Sequence, residues 1–348
     1  MGRSVSSPRV AVVGATGAVG PVVLEVLAER GFPASEVVAF ASARSAGSRV
    51  PFAGGELEVR ELHEDSFDGF DLALFSAGGS TSKRYAPEAV ARGCVVVDKS
   101  SAFRMDPGVP LVVPEVNPEA LDAHRGIVSN PNCSTIQLVA ALKPLHDAAD
   151  LAHVTVATYQ AVSGTGANAV RELHDQSRAL LAGEPAAASV YPHQIAFNVL
   201  PQCDAFEGDS TTEETKLVDE THKILGDPGI PISSTCVRVP VWRGHSEAVW
   251  VETHEPLGAE RARALLREAP GVRVVDDPAT GAYPLPSAAA GTDDVLVGRI
   301  RDDASRRNGL SLFVVADNLR KGAATNGVQI AELLVGRGLV RVPDRAAA

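Results

Sequence analysis

At 348 residues, with 45% hydrophobic and 22% charged side chains, the chain has the composition of a globular protein large enough for two domains or one elaborated domain. A net charge of −11 with no dense Lys/Arg run excludes a surface built on phosphate neutralisation, so no nucleic-acid partner is expected, and no apolar run approaches the ~20 residues of a membrane span. Met1–Arg9 lacks the apolar core of a signal peptide. Cys94, Cys133, Cys203 and Cys236 form no C-x-x-C pair and the nine histidines no H-x-x-x-H cluster, so reduced thiols in the cytoplasm are expected, with neither a metal site nor a disulfide framework.

Arg9–Val13 is a short β-rich apolar run, followed at once by G-A-T-G-A-V-G at Gly14–Gly20 and a helical pattern at Val22, Val23, Val26 and Leu27. Strand, glycine turn and helix in that order let a chain approach a pyrophosphate resting on the helix N-terminus, which marks Gly14, Ala15, Thr16, Gly17, Ala18 and Val19 as cofactor contacts. The spacing is G-x-x-G-x-x-G and not the commoner G-x-G-x-x-G, and taken alone such a run serves as often as a structural turn. A second strand, Glu36–Phe40, ends in A-S-A-R-S. An NAD site offers an acidic residue at this point for the ribose 2′-hydroxyl; Ser42, Arg44 and Ser45 suit a 2′-phosphate, so NADP is the expected cofactor, against the alternative of a turn with a solvated arginine. Strands at Asp71–Phe75 and Cys94–Val97, with a helix Lys83–Arg92 between them, give the β-α alternation of a parallel sheet. Ser76, Ala77 and Gly78 follow a strand's carboxyl end, where open α/β sheets bind ligands.

In S-N-P-N-C-S-T-I-Q, Ser129–Gln137, Pro131 breaks the chain and Asn132 is a strong N-cap for a helix running from Ser134 to Leu145. Cys133 falls in the first turn, where unpaired N–H groups and the helix dipole favour thiolate and pull the pKa below the usual ~8.5. By itself such a cysteine reads more often as a buried small hydrophobe. From Leu151 the strands lengthen: Val154–Tyr159, Thr235–Pro240, Ala248–His254, Val295–Arg301 and Leu310–Ala316, with helices near Ala167–Leu181 and Thr211–Leu225. This predicts an α+β domain on a largely antiparallel or mixed sheet, after which a final helix, Gly322–Val335, is expected to return to the first domain.

Seven segments in order carry a resemblance across nearly the whole chain: V-G-A-T-G-A-V-G at Val13–Gly20, S-S-A-F-R at Ser100–Arg104, S-N-P-N-C-S-T-I-Q at Ser129–Gln137, Q-A-V-S-G-T-G at Gln160–Gly166, E-E-T-K at Glu213–Lys216, R-V-P-V-W-R-G-H-S-E at Arg238–Glu247 and D-N-L-R-K-G-A-A at Asp317–Ala324. Together they resemble the aspartate-β-semialdehyde dehydrogenase family, NADP-dependent enzymes of amino-acid biosynthesis. The resemblance implies an α/β protein: a Rossmann-like NADP-binding domain of residues 1–132 plus 320–348, and an α+β catalytic and dimerisation domain of residues 133–319, assembled as a homodimer. Lys99 departs from the family, which more often has an asparagine-like residue before the two serines.

The implied reaction is reduction of aspartyl 4-phosphate through a thioester on Cys133, with His245 as base, Gln160 orienting the acyl group, Asn132 binding the substrate and inorganic phosphate released. The resemblance also assigns Arg238 to the substrate carboxylate, Glu213 to its ammonium, Arg104 and Lys216 to phosphate, and Ser163, Gly164 and Asn318 to the cofactor. From spacing alone Glu213 and Lys216 are an i, i+3 pair whose default is a solvated salt bridge. Rival readings are another acyl-phosphate or aldehyde dehydrogenase, such as an N-acetylglutamyl-phosphate or glyceraldehyde-3-phosphate enzyme, or a silent dinucleotide-binding regulator. Glu213 and the P-N-C-S-T run oppose the first; retention of both Cys133 and His245 opposes the second.

Overall fold

The alternation of short Val/Ala/Phe-rich runs with helical segments in the first part of the chain becomes a seven-stranded sheet in the computed structural model, which describes residues 3–342. The chain divides into two units, Met1–Pro131 with Ala323–Ala348, and Asn132–Gly322. In the first, the strands are Arg9–Val13 (β1), Glu36–Ala41 (β2), Arg49–Phe52 (β3), Gly55–Glu61 (β4), Leu72–Phe75 (β5), Val95–Asp98 (β6) and Ile127–Ser129 (β7). Their order is β3-β4-β2-β1-β5-β6-β7, parallel except for the β3–β4 hairpin. The chain builds outward from β1 through β2 and then crosses back to β5. That reversal puts the loops after β1 and β5 side by side at the strands' carboxyl ends, where doubly wound sheets open a crevice.

Strands covered on both faces must be apolar throughout, and β1, β2, β5 and β6 are buried along nearly their whole length. Helix Gly79–Ala91 (α2) buries Ala86 and Ala89 in a cluster with Phe40, Phe67, Phe70, Phe75 and Val96, where Phe67 stacks on Phe75 at 5.8 Å and Phe40 meets Phe70 edge-on at 5.7 Å. Helix Gly20–Glu29 (α1) packs against the final helix, Thr325–Gly336 (α3), and both bury valines and leucines. No helix among the described residues is long and apolar enough to cross a membrane.

The second unit is organised on a six-stranded mixed sheet of Leu151–Gln160 (β8), Ile232–Arg238 (β9), His245–Thr253 (β10), Val272–Val274 (β11), Val295–Asp303 (β12) and Gly309–Ala316 (β13), in the order β9-β8-β10-β13-β12-β11. Pairs β9–β8 and β12–β11 are parallel and the rest antiparallel. Helix Cys133–Ala149, here called the thiol helix, carries Leu138, Ala141, Leu142 and Leu145 into a core shared with Val154, Val156, Val249, Val251, Leu312 and Val314 of the sheet. The helix Thr212–Leu225 is fixed at its start by a capping box in which Thr211 and Glu214 exchange hydrogen bonds. The opposite face of the sheet presents Tyr159, Ala248, Trp250 and Phe313, with Tyr159 39% exposed.

Several boundaries differ from the sequence expectation for identifiable reasons. Strand β9 ends at Arg238 and not at Pro240, because proline cannot donate to a ladder and biases the residue before it. Strand β10 starts at His245, three residues before the expected Ala248, so the polar H-S-E opening belongs to the sheet. The helix expected from Gly322 begins as a π-helical turn, Arg320–Ala324, and becomes α-helical at Thr325. The β3–β4 hairpin was not anticipated: its turn is Ala53-Gly54, both with positive φ (48° and 79°), where Asn-Gly would have been the readable signal.

Candidate active site

The thiol helix begins where its sequence predicts. Asn132 caps it in an extended conformation, its Oδ1 accepting the Cys133 N–H at 2.9 Å, with Cys133 Sγ 3.6 Å from the same oxygen. The other end of the Asn132 amide donates to Glu213 Oε1 at 2.7 Å and to Ser134 Oγ at 3.1 Å, and its backbone N–H donates to Glu220 at 2.6 Å. Glu213 is thereby drawn into the site: it is 5% exposed, and the same Oε1 accepts from Gln160 Nε2 at 3.0 Å and Ser134 Oγ at 3.3 Å. The solvated-pair alternative for Glu213 and Lys216 therefore fails for the glutamate. Lys216 lies 3.6 Å from Glu213 Oε2 and 2.5 Å from Asp204, at the edge of this cluster.

A second cluster hangs on one residue, Ala161, between β8 and the short turn Val162–Thr165. Its C=O accepts Arg238 Nη1 at 2.8 Å, and its N–H donates to His245 Nδ1 at 3.0 Å. Both side chains are buried, Arg238 as the last residue of β9 and His245 as the first of β10. A ring nitrogen that accepts an N–H carries no proton, so neutral His245 bears its proton on Nε2. Burial alone would weaken the Arg238 charge, but Cys203, Tyr191, Glu213 and Cys133 around it outweigh burial and raise its pKa, which ties the two clusters electrostatically. Gly164 fits against both: a Cβ there would lie 2.9 Å from Arg238 Nη1 and 3.1 Å from His245 Nε2.

Ser163 and Asn318 belong to the same neighbourhood. Their side chains bond to each other at 3.0–3.1 Å, and Asn318 Oδ1 also accepts the Gly244 N–H at 2.9 Å, just ahead of His245. Asp317, fully buried, accepts from the N–H groups of Gly291, Leu319 and Arg320 and pairs with Arg243 at 2.6 Å, so it fixes the entry to the π-helical turn. On that turn, Gly322 packs on the nucleophile: a Cβ at 322 would stand 2.9 Å from Cys133 Cβ.

In the first unit, Gly14 has φ of 82°, and a Cβ there would lie 2.8 Å from Ser76 O, so the loops after β1 and β5 meet backbone to backbone. Gly20 is equally constrained, its would-be Cβ 2.3 Å from Gly14 O. Helix α1 has no acidic residue in its first turn and no side-chain cap on Val19, which leaves its first N–H groups oriented for an anion. Thr16 Oγ1 donates to Ser45 Oγ at 3.2 Å, joining this turn to Ser42–Ser45, where Ser42 and Arg44 are exposed. Ala15, Ala18, Ser76, Ala77 and Gly78 line the same loops, with Gly78 as the N-cap of α2. A glycine cradle, an anion-ready helix start and a nearby arginine fit a dinucleotide with a 2′-phosphate.

Arg104 also lies in this unit and is buried, its guanidinium directed by the backbone carbonyls of Asn130 (3.1 Å) and Lys99 (2.6 Å). Lys99 thus serves Arg104 through its carbonyl, a contact for which its side-chain identity is immaterial. Asp98 beneath accepts from Ser82 and Ser100. Burial raises the Asp98 carboxyl above its usual range despite those bonds and the Arg104 charge. At the opposite end of the thiol helix, His146, Asp150 and Asp227 bring one ligand atom each within 4.8 Å; Asp150 pairs with His146 at 3.7 Å, and Asp227 holds the Gly229 N–H.

The amino-acid sequence points to most side chains of the two clusters but not to Ser134, Glu220, Ala161, Gly322 or Asp317. Ala161 acts only through its peptide and leaves no side-chain signal. Gly322 and Asp317 stand in the quoted D-N-L-R-K-G-A-A run, where a glycine two residues into a basic stretch was the available clue.

Residues 9–124 match the family model for the semialdehyde dehydrogenase NAD binding domain, and residues 142–321 that for its dimerisation domain. The aspartate-semialdehyde dehydrogenase of Aquifex aeolicus is 56% identical over 337 residues, 95% of this chain and 99% of its own. The crystal structure of aspartate semialdehyde dehydrogenase II from Vibrio cholerae complexed with ASA is similar with a TM-score of 0.92 at 49% identity, over 95% of this chain and 98% of that one. The crystal structure of aspartate semialdehyde dehydrogenase with NADP from Candida albicans gives 0.73 at 25% identity, over 96% and 99%.

Proposed function

The chain belongs to the semialdehyde dehydrogenase family, and from that premise we propose that it is an NADP-dependent aspartate-semialdehyde dehydrogenase, reducing L-aspartyl 4-phosphate to L-aspartate 4-semialdehyde with release of phosphate, reversibly. The observation that carries this reading is the thiol at a helix start grouped with a buried guanidinium and a buried carboxylate, beside an imidazole held by the same residue as the guanidinium.

Cys133 Sγ attacks the acyl carbon; the C–O bond to phosphate breaks, phosphate leaves with the electron pair, and a thioester remains. The hydride that this carbon takes is what reduced NADP would supply when held by the glycine loop. The resulting oxyanion re-forms the carbonyl as the C–S bond breaks, releasing the aldehyde and returning the thiolate. Starting from thiolate, the steps at the acyl carbon consume no proton; the released phosphate takes up one from solvent. His245, with its proton on Nε2, serves it as a donor to the thiolate and then to the oxyanion. To act as base toward a neutral thiol, the ring must first release the Ala161 N–H, because a protonated Nδ1 cannot accept it.

Arg238 offers the guanidinium face not bonded to Ala161 to the substrate carboxylate. Glu213 meets the ammonium, held by the Asn132 and Gln160 amides, so Gln160 contributes through the carboxylate it orients as well as through the acyl group. Arg104 and Lys216 are assigned to phosphate, and Gly14–Val19, Ser42, Arg44, Ser45, Ser76–Gly78, Ser163, Gly164 and Asn318 to NADP. The face of the second sheet bearing Tyr159, Trp250 and Phe313 is the surface we assign to a homodimer, in the cytoplasm. The test is growth of absorbance at 340 nm with L-aspartate semialdehyde, dependent on both phosphate and NADP; a folded protein that stays silent refutes the reading.

A further inference from the structure

Behind the thiol and imidazole lies a polar pair that the reaction above does not use. Glu247 follows His245 by two residues on β10, so it points to the same face of the sheet, toward the thiol helix. It is 0% exposed, and no hydrogen bond reaches either carboxyl oxygen among the described residues. Gln137 sits one helical turn after Cys133, also 0% exposed, with both ends of its amide likewise without a hydrogen bond. The two side chains are neighbours: the Gln137 amide is the polar group that acts directly on the Glu247 carboxyl. Across the sheet Glu247 stands opposite Thr158 of β8 and Val314 of β13, and the charged group that acts on it is a carboxylate, Glu213. No cation is paired with it among the described residues.

An ionised carboxylate in this place would have lost water without gaining a cation or a full set of donors, and would face the like charge of Glu213. A protonated one is complementary to the amide beside it: after a small rotation of either side chain its O–H can donate to Gln137 Oε1 while its C=O accepts from Gln137 Nε2, a pair of bonds the charged form cannot make. We propose that Glu247 is a protonated carboxylic acid in the resting protein and that, paired with Gln137, it is a positioning residue that sets the start of the thiol helix against the start of β10. The inference rests on Cys133 and His245 being the reacting pair. Its consequence is that Glu213 is the carboxylate offered to the substrate ammonium, while the carboxyl of Glu247 behind it contributes shape and hydrogen bonds without charge. Burial independently pushes the Glu247 carboxyl well above the usual carboxylate range, a shift that Glu213 reinforces and Gln137 opposes.

The test uses the intact protein. Infrared difference spectra at neutral pH between wild type and Glu247→Gln should show the C=O stretch of a protonated carboxyl in wild type only, and the pH dependence of Cys133 alkylation by iodoacetamide should have the same midpoint in both. Glu247→Gln, neutral and close in shape, should keep kcat within about threefold, whereas Glu247→Leu, which leaves Gln137 without a partner, should lower kcat about tenfold with little change in KM and slow the alkylation. A missing carboxyl band, or an alkylation midpoint that falls in Glu247→Gln as a negative charge is removed, overturns the protonated acid. A Glu247→Leu protein that only melts earlier, with kcat and alkylation unchanged, overturns the positioning role. If Glu247→Leu does not fold, the band and the Glu247→Gln midpoint still decide. Both are read without turnover, so they stand apart from any failure of the proposed reaction.

Discussion

Replacing Gly322 by alanine puts one methyl group against the nucleophile. The added Cβ would stand 2.9 Å from Cys133 Cβ, 3.4 Å from Cys133 Cα and 3.4 Å from Asp317 O. Carbon atoms rest at ~3.5–4.0 Å, so roughly 0.6–1.1 Å must be absorbed by backbone that has little freedom to give. The Gly322 N–H is bonded to Asp317 O at 2.9 Å, and Cys133 is pinned by its Asn132 cap. Gly322 is not in the left-handed region, so alanine pays no conformational penalty there and the effect is steric. Overpacking of this kind costs about 1–3 kcal/mol, which for a unit of this size lowers Tm by roughly 2–12 °C. A nucleophile moved by nearly 1 Å loses on the order of 100-fold in kcat, while NADP affinity should hold. Steady-state rates at 340 nm, NADP titration and thermal melts read all three quantities. Gly327→Ala is the control, since nothing lies within 4 Å of a Cβ there and alanine favours the helix. A Gly322→Ala enzyme within about threefold of wild-type kcat would refute the claim that the π-helical turn fixes the thiol.

Iodoacetamide near neutral pH should label Cys133 and spare the other cysteines: burial pushes the Cys203 thiol up to about 12 and raises those of Cys94 and Cys236 as well. Mass spectrometry of the peptides checks this, and early labelling of any of the three would show them accessible. Glu213→Gln should lower kcat/KM for aspartate semialdehyde by roughly ten- to a hundredfold, and Lys216→Ala should chiefly raise the KM for phosphate. Changes below about twofold in both would return the pair to a structural role. Arg44→Ala should weaken NADP by about tenfold or more and leave NAD nearly unchanged; equal losses would make Arg44 structural. Because the folded protein holds the Glu247 proton that the unfolded chain releases above about pH 4.3, the group's contribution is fully present below that pH. It is then lost at about 1.4 kcal/mol per pH unit until the folded carboxyl itself titrates. Denaturant melts at several pH values should therefore show Glu247→Gln gaining on wild type as pH rises, and parallel curves would contradict the shift.

What the sequence made legible follows from what each residue contributes. Gly14 and Gly20 were readable because only glycine meets their φ or their close approach, and Cys133 because Asn132 announces a helix start through its side chain. Strand β10 was entered late because His245, Ser246 and Glu247 are polar, and the burial that admits them to a strand comes from Ala161, Gln137 and the rest of the fold. Glu213 looked like half of a surface pair since its three amide and hydroxyl partners arrive from positions 132, 134 and 160, none within reach in sequence. Glu247 carried no mark in the sequence at all: a glutamate on a strand ordinarily faces water, and only the packed structure places it against an amide.

Ala161 holds Arg238 with its carbonyl and His245 with its amide, yet its methyl group does neither job. Alanine scanning passes over such a residue, and every ordinary replacement except proline keeps both peptide groups. Its importance becomes visible when the main chain itself is edited. Replacing the 160–161 amide by an ester, which removes the Ala161 N–H and weakens the Gln160 carbonyl that accepts from Val239, would take from His245 the bond that decides which nitrogen carries the proton, and leave Arg238 its anchor.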